Sequence, residues 1–374
     1  MTNSDRSPGN TREEGTVCWR SPSNIALVKY WGKRAGQLPA NPSVSITLNN
    51  SFTCTCLKYR SSDQGKGRLL NFSFGGEKNE AFAGRVSSFL NSLGELYPFI
   101  GDYDLEVTSR NSFPHSSGIA SSASAMSALA LCLTSMERIV SGSPSEEESF
   151  FRKASYVARM GSGSAARSVY PGYVLWGRFP GIPWSADEFA VPLNDNIHKE
   201  FREMGDAILL VDDTPKRVSS SRGHALMEGN PWSAVRYEQA SRNTSGLIDV
   251  LAAGDLDEFV RITEQEALTL HSLMMNSDEG YILMKPGTLE VIERVRRFRE
   301  ETGVPAAFTL DAGPNVHLIY PVRFRESVIK LIDEELLQFC PGRRWIDDAA
   351  GGGPLQVDVG AGGDQVQVDV ESAK

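Results

Sequence analysis

The stretch FPHSSGIASSASA at residues 113–125 decides the fold, because it places a Gly/Ser-rich loop directly before an apolar run at 126–140. The composition and spacing of that run predict a buried helix. The first turn of a helix has N–H groups without intrahelical partners and the positive end of the helix dipole, so it can hold an anion. Ser121, Ser122 and Ser124 add hydroxyls that can cap the helix, bind phosphate or ligate Mg²⁺. The loop is a candidate polyphosphate cradle; it is not a Walker A loop, and an ordinary Ser-rich helix cap stays an alternative.

Length and charge limit the classes of protein to consider. The chain has 374 residues and is 40% hydrophobic, which suits two domains with a large buried core. A net charge of -9 argues against a general nucleic-acid binder, so an anionic substrate must be held by local positive groups. Residues 1–14 are polar and do not resemble a signal peptide, and no apolar run reaches about 18 residues. We therefore expect a cytoplasmic protein without a membrane partner.

The cysteines and histidines do not predict a metal site. Five cysteines without a CxxC pair suit a reducing compartment, and Cys54 and Cys56 have the spacing of packing residues on one face of a strand. The five histidines are scattered without metal-ligand spacing, so a structural zinc site is not expected.

The order of elements predicts two mixed α+β domains with a ligand cleft between them. Strands are expected at 18–29, 44–59, 69–74, 172–177, 206–211, 306–310 and 316–320, and helices at 80–96, 124–140, 146–160, 231–252, 256–273 and 289–302. A polar, Pro-rich stretch up to about residue 198 marks the boundary between the domains. The predicted division is a disordered N-terminus at 1–15, domains at 16–198 and 199–348, and a Gly-rich tail at 349–374 without a chemical role.

Two further segments combine small residues with cations. In NIALVKYWGK at 24–33, a buried strand ends in Lys29 and Lys33, which would project to one side of an extended chain and neutralise phosphate. A solvated strand end is the alternative. In MGSGSAAR at 160–167, two serines and Arg167 form a second candidate anion site, and the guanidinium suits a bidentate carboxylate.

The remaining segments supply a basic loop and an acid. KRVSSSRGH at 216–224 is either an anion-binding loop or a charged surface turn. Asp311 ends an apolar strand before a Gly-Pro turn, where a buried carboxylate could act as a base or orient a hydroxyl. An Asp that bonds its own turn backbone is the alternative.

In this order, these segments resemble the mevalonate diphosphate decarboxylases of the GHMP kinase superfamily. The resemblance covers about residues 17–320, and its most specific pieces are residues 24–33, 113–125, 161–167 and 308–315. KYWGK at 29–33 together with GSGSAAR at 161–167 points to the decarboxylase branch of the superfamily. It implies a two-domain GHMP kinase-like fold with the active site between the domains, and a homodimer. It also implies an ATP- and Mg²⁺-dependent reaction, in which the 3-hydroxyl of (R)-5-diphosphomevalonate is phosphorylated before phosphate and CO₂ leave.

The resemblance implies a role for each matching residue. The catalytic group comprises Asp311 on the hydroxyl, Arg167 and Asn24 on the carboxylate, and Lys29 near the reacting centre. The substrate-binding group is Tyr30, Lys33, Ser162, Ser164, Ser220 and His224. The ATP-binding group is Ser109, Asn111, Pro114, Ser116, Ser117, Gly118, Ala120, Ser121 and Ser122, with Ser122 also on Mg²⁺.

One departure from the family pattern keeps several activities open. His224 stands where the family has a Met, which leaves the substrate as a diphosphate or a monophosphate. The alternatives are a phosphomevalonate decarboxylase, a mevalonate 3-kinase of the same fold, and a non-catalytic nucleotide-binding homologue.

Overall fold

Two β-sheets and their helices make up the part of the chain that the computed structural model describes, residues 14–63, 66–114, 121–212, 214 and 220–358. The strands are β1 (Glu14–Val28), β2 (Ser43–Ser61), β3 (Leu69–Phe74), β4 (Glu77–Lys78), β5 (Tyr103–Asn111), β6 (Tyr173–Trp176), β7 (Ala190–Pro192), β8 (Met204–Leu209), β9 (Ala307–Thr309), β10 (Val316–Pro321), β11 (Trp345–Ala349) and β12 (Leu355–Val357). The helices are α1 (Glu80–Ser92), α2 (Ser121–Ser141), α3 (Glu147–Gly161), α4 (Ser220–Ala225), α5 (Ser233–Ala253), α6 (Leu256–Met275), α7 (Pro286–Thr302) and α8 (Arg325–Leu331).

The first sheet has the order β12-β1-β2-β5-β3-β4, with β6 paired to β2 and β7 to β6. Its pairs are antiparallel except β3 with β5. Helix α2 packs on this sheet, and its buried face contains Leu129, Leu131 and Leu133 among alanines and serines. By length and composition α2 could cross a membrane, but 67% of its apolar window is buried inside the molecule, as in a core helix.

The second sheet is antiparallel with the order β11-β8-β10-β9. Helices α7 and α8 share a core with it. A separate apolar cluster joins the two sheets: Ile25 of β1 and Ile46 of β2 pack with Ile208 of β8, Ile319 of β10 and Phe259 of α6. The predicted mixed α+β architecture is confirmed, and this shared cluster fixes how the two halves face each other.

Several boundaries differ from the predictions. β1 already begins at Glu14, so the predicted disordered segment 1–15 includes two strand residues. The helix predicted at 80–96 ends at Ser92, because the chain turns before Pro98. The strand predicted at 206–211 lies at 204–209, where it pairs with β10. β5 was not predicted, although its buried residues alternate from Tyr103 to Ser109.

The predicted tail 349–374 is partly structured. Ala349 closes β11, and β12 then pairs with residues 18–20 of β1 in the first sheet. This strand escaped prediction because it is only three residues long and follows a run of glycines. The chain therefore returns from the second sheet to the first before residue 359.

The prediction for the cysteines is wrong in one respect. Cys18 and Cys56 face each other in the register of β1 and β2 and form a disulfide. The pairing was not foreseen because they are 38 residues apart and only the strand register joins them. Cys54, Cys132 and Cys340 are free and buried, as expected of packing residues.

Candidate active site

A cavity of 880 Å³ lies where the end of β1, the first turn of α2 and the turn after β9 meet. Thirteen of the residues singled out from the sequence line it: Asn24, Lys29, Tyr30, Lys33, Ser109, Asn111, Ser121, Ser122, Ser162, Ser164, Arg167, His224 and Asp311. Pro114 is exposed and does not line it. Ser116, Ser117, Gly118 and Ala120 lie outside the described residues, as does the side chain of Ser220; its neighbour Ser221 lines the cavity.

Asp311 and Lys29 form an ion pair in the lining of the cavity. Lys29 Nζ donates to Asp311 Oδ1 at 3.1 Å and to the carbonyl of Ala26 at 2.6 Å. The Asp311 side chain is 29% exposed, whereas that of Lys29 is 2% exposed. Burial lowers the pKa of Lys29, while the Asp311 carboxylate acts in the opposite direction. Asp311 therefore faces the cavity as a carboxylate whose orientation a buried ammonium fixes.

The two lysines do not form the extended pair that the sequence suggested. β1 ends at Val28, and the chain then turns at Gly32, whose φ of +102° only glycine adopts readily. Lys29 is engaged with Asp311, whereas Lys33 sits beyond the turn, where burial lowers its pKa. Both line the cavity, but Lys29 is paired with a carboxylate, so Lys33 stays the predicted phosphate-binding cation.

Arg167 and Asn24 form a second polar group in the cavity. Arg167 Nε donates to Asn24 Oδ1 at 3.3 Å and Nη1 donates to Ser43 Oγ at 2.5 Å. Asn24 in turn donates to Ser168 Oγ at 2.8 Å. Burial lowers the pKa of Arg167 to about 10, so the guanidinium stays charged at neutral pH. A rigid, buried cation of this shape suits a carboxylate.

Tyr30, Lys33 and His224 line another part of the same cavity. The Tyr30 hydroxyl is buried and has no hydrogen-bond partner among the described residues. The His224 ring lies 4.3 Å from the Tyr30 ring and 4.6 Å from the Trp31 ring, centroid to centroid. His224 Nδ1 accepts the N–H of Gly32 at 3.0 Å, and burial holds the pKa of His224 well below its usual value. The imidazole is therefore neutral and carries its proton on Nε2.

The first turn of α2, where the sequence predicts an anion site, lies at the cavity. Ser122 Oγ lies 3.5 Å from Ser162 Oγ, which brings the serines of the two Gly/Ser segments together at the cavity. No group of three His, Cys, Asp or Glu side chains that could hold a metal occurs in the described ranges. The serine hydroxyls at the first turn of α2 fit Mg²⁺, because this ion keeps several waters and is held mainly by phosphate oxygens with one or two protein groups.

An apolar arm of the cavity was not predicted as part of the site. It is lined by Phe72, Phe74, Phe82 and Val107, and the Arg85 guanidinium lies 5.5 Å from the centroid of the Phe82 ring. The rings of Phe74 and Phe82 are stacked at 5.7 Å, and flat apolar walls of this kind suit a planar ring such as a nucleobase. The signal in the sequence was the pair of phenylalanines that alternate along β3.

Arg236 and Glu266 were also missed, although they hold the backbone of Lys29. Glu266 Oε2 accepts the Lys29 N–H at 2.8 Å, and Arg236 Nη2 donates to the Lys29 carbonyl at 3.0 Å. Glu266 falls at helical spacing with the apolar residues Phe259, Ile262 and Leu270, so a charge on the buried face of α6 was the available signal.

Comparisons with known proteins agree with the resemblance. Residues 21–180 match the diphosphomevalonate decarboxylase-like N-terminal domain, and residues 207–350 match the mevalonate 5-diphosphate decarboxylase C-terminal domain. The diphosphomevalonate decarboxylase of Eremothecium gossypii is 30% identical over 321 residues, which cover 80% of this chain and 76% of the relative. The phosphomevalonate decarboxylase of Haloferax volcanii is 26% identical over 297 residues, covering 78% and 84%.

Solved structures show the same similarity. The mevalonate diphosphate decarboxylase from Enterococcus faecalis aligns with a TM-score of 0.75 and 26% identity over 92% of this chain and all of the other. A structure of MDDEF in complex with MVAPP, AMPPCP and magnesium aligns with a TM-score of 0.76, 26% identity and the same coverage. With both halves of the chain matched by family models and a relative 30% identical along most of its length, this chain belongs to the diphosphomevalonate decarboxylase family.

Proposed function

We propose that this chain catalyses the ATP-dependent decarboxylation of (R)-5-diphosphomevalonate to isopentenyl diphosphate, a reaction of the mevalonate pathway to isoprenoids. One observation carries the proposal: Asp311 opens on the same cavity as the Arg167–Asn24 pair and the first turn of α2. A base, a carboxylate-binding cation and a phosphate-binding helix end are the three groups that this reaction requires. We place the site between domains at 16–198 and 199–348.

The reaction divides into two steps on the substrate. Asp311 orients the 3-hydroxyl or accepts its proton as the oxygen attacks the γ-phosphorus of ATP, and ADP leaves. The C–O bond to the new phosphate then breaks, and positive charge develops on the tertiary carbon. The bond to the carboxylate breaks next, its electron pair forms the alkene, and CO₂ leaves. Lys29 fixes Asp311 at 3.1 Å, so proton acceptance needs no rearrangement of the base.

The polar groups around this centre divide between the two substrates. Arg167 and Asn24 hold the carboxylate, while the hydroxyl and ammonium groups of Tyr30 and Lys33 meet the substrate's phosphates. Ser162, Ser164, Ser220 and His224 are proposed for the same phosphates. ATP binding is assigned to Ser109, Asn111, Pro114, Ser116, Ser117, Gly118, Ala120, Ser121 and Ser122, of which Ser121 and Ser122 would contact the phosphates. When bound, Mg²⁺ held by Ser122 and phosphate oxygens would neutralise charge on the transferred phosphoryl group.

A monophosphate substrate is the second candidate. His224 leaves both substrates open, because a neutral imidazole, which stands where the family has a Met, contributes one N–H donor and no charge to the cavity. The similarity to a phosphomevalonate decarboxylase supports the monophosphate as this second candidate substrate.

The test is to incubate the purified chain with ATP, Mg²⁺ and each of mevalonate, its 5-phosphate and its 5-diphosphate. We expect CO₂ and ADP in equal amounts with the 5-diphosphate. Turnover of the 5-phosphate alone would select the second candidate. ADP without CO₂ would indicate a kinase that stops after phosphorylation, and no turnover with any of the three would refute the proposal.

Asp311→Asn supplies the control for this experiment. Loss of a positioned base should lower kcat by about 10²- to 10⁴-fold while ATP still binds. Asp212→Asn is the matched variant, since Asp212 also follows a strand of the second sheet but pairs with Lys285 outside the cavity. A non-catalytic nucleotide-binding protein would respond equally to both substitutions.

We also propose that the protein works in the cytoplasm, where ATP is supplied, and that it is a homodimer. Trp232 and Val235 at the start of α5 are 55% and 57% exposed, and Met275 at the end of α6 is 42% exposed. The tight connection between these helices brings the three residues to one end of an antiparallel pair, and a second copy would cover this apolar surface. Sedimentation equilibrium should give twice 40.9 kDa, and Val235→Glu should give the monomer mass; a monomeric unmodified chain contradicts the proposal.

A further inference from the structure

A fully buried ion pair lies behind the cavity, between helices α5 and α6. The Arg236 and Glu266 side chains are 1% and 0% exposed. Arg236 donates to both carboxylate oxygens of Glu266, at 2.8 and 2.5 Å, and Asn243 donates to Oε1 at 2.6 Å. Neither charged residue lines the cavity, so neither has a place in the proposed chemistry so far.

The pair holds one residue of the first sheet by both of its backbone groups. Glu266 accepts the Lys29 N–H at 2.8 Å, and Arg236 donates to the Lys29 carbonyl at 3.0 Å. The amide of Asn41 reaches the same carbonyl at 3.0 Å. The Lys29 ammonium then reaches Asp311, which the second sheet supplies. The backbone of Lys29 is thus clamped where its side chain must meet the acid of the other domain.

Stability alone does not account for an ion pair in this place. Removing two charges from water is costly, and well-packed apolar residues often replace a buried pair at no loss of stability. Helix α6 provides a comparison: Glu264, two residues earlier, binds Arg299 at 2.7 Å and stays within the second domain. The pairs differ in their targets, since only Arg236–Glu266 contacts Lys29.

We propose that Arg236 and Glu266 are positioning residues, which register the end of β1 against Asp311 and so place Lys29 Nζ for the reaction. This inference rests on the proposed function, which gives the position of Lys29 Nζ beside Asp311 its role in the reaction. It assigns the two residues no contact with either substrate. Displacing a catalytic group by about 1 Å can cost on the order of 100-fold in rate.

The test compares Glu266→Gln with Glu264→Gln in the full chain. Each substitution removes from α6 one carboxylate that pairs with an arginine of another helix. We expect Glu266→Gln to lower kcat by about 10- to 100-fold with little change in the KM for ATP. Glu264→Gln should leave kcat near the wild-type value. Arg236→Lys, which keeps the charge but loses the bidentate fork, should resemble Glu266→Gln and replaces it if that variant does not fold.

The pKa of Lys29 gives a readout that needs no turnover. The charged groups that act on it are Asp311 and Glu266, which raise its pKa, and Arg167, which lowers it together with burial. Removing the Glu266 charge should therefore lower the pKa of Lys29 in the chain without substrate. NMR titration of the chain labelled with ¹⁵N-lysine, without substrate, measures this; Lys29→Arg assigns the signal.

The outcomes separate this inference from the proposed function. If the wild-type chain releases no CO₂, the proposed function fails, while the lysine titration still tests the placement of Lys29. If Glu266→Gln and Arg236→Lys change kcat and the Lys29 pKa no more than Glu264→Gln does, the pair is structural only and the inference is overturned.

Discussion

At the scale of single residues, the cavity is built from charged groups whose orientations are set before any substrate arrives. Lys29 and Arg167 are both almost fully buried. Lys29 donates to the Ala26 carbonyl and to Asp311, and Arg167 donates to Asn24 and Ser43. Preorganised groups of this kind do not have to reorient as charge develops, which is the main source of electrostatic catalysis. His224 is the exception among the basic side chains, because it is neutral.

His224 should make the stability of the protein depend on pH. In the unfolded chain its pKa is about 6.5, whereas burial, with Lys33 and Arg167 nearby, holds the pKa of the folded state well below that. As pH falls through 6.5, the unfolded state takes up a proton that the folded state refuses, so the free energy of unfolding decreases. Above about pH 7.5 this contribution no longer changes.

Urea unfolding at pH 7.5 and 5.5 measures this dependence. We expect the loss of stability between the two pH values to be smaller for His224→Gln than for the wild type, because Gln cannot titrate. His198→Gln, at a partly exposed histidine away from the cavity, is the control and should keep the wild-type difference. A wild-type difference in His224→Gln would mean that the ring accepts a proton in the folded state.

At the scale of elements, the segment after β1 and the 3-10 turn after α3 pack closely because a glycine lies at their contact. Gly163 lies in the 3-10 turn after α3, and a Cβ there would come within 2.7 Å of the Tyr30 hydroxyl and 2.8 Å of the Trp176 ring. Glycine at this position allows Tyr30 to approach the serines of the second Gly/Ser segment. The segments that the sequence singled out are therefore joined by close backbone packing as well as by their polar groups.

The sequence predicted the parts of the site that are contiguous in the chain. Lys29 and Asp311 each follow a strand, and Arg167 closes a Gly/Ser-rich segment, so each stands in a local pattern. Arg236 and Glu266 lie inside long helices, where a charge is ordinary, and only tertiary packing brings both to Lys29. The Cys18–Cys56 disulfide and strand β12 depend on strand register in the same way. Such long-range pairings do not follow from periodicity or spacing.

At the scale of the whole molecule, the cavity concentrates positive charge in an acidic protein. The net charge is -9, yet Lys29, Lys33, Arg167 and the first turn of α2 all face one cavity. Local cations and a helix end can bind anionic substrates in spite of the overall charge, because more distant charges are screened by salt. The acidic remainder disfavours the unspecific binding of nucleic acid.

The return of the chain to the first sheet is a second feature of the whole molecule. After β11, Ala350 donates its N–H to the Met204 carbonyl at 2.7 Å and Gly351 donates to the Thr47 carbonyl at 2.6 Å. β12 then covers one edge of β1. The C-terminal segment thus connects both sheets, in addition to the apolar cluster that they share. We expect the two domains to unfold together, because the C-terminal segment and the shared apolar cluster both join one sheet to the other.

A chain that ends at residue 353 should test this connection, because it lacks β12 but keeps the contacts of Ala350 and Gly351. Leu355 is 56% exposed, so β12 contributes mainly backbone hydrogen bonds, each worth about 0.5–1.5 kcal/mol. We expect a loss of about 1–3 kcal/mol in the free energy of unfolding by urea.

A chain that ends at residue 358, which keeps β12, is the control and should match the full chain. Equal stabilities of the two shortened chains would mean that β12 adds nothing to the sheet, and separate transitions by fluorescence and circular dichroism would show that the domains unfold independently.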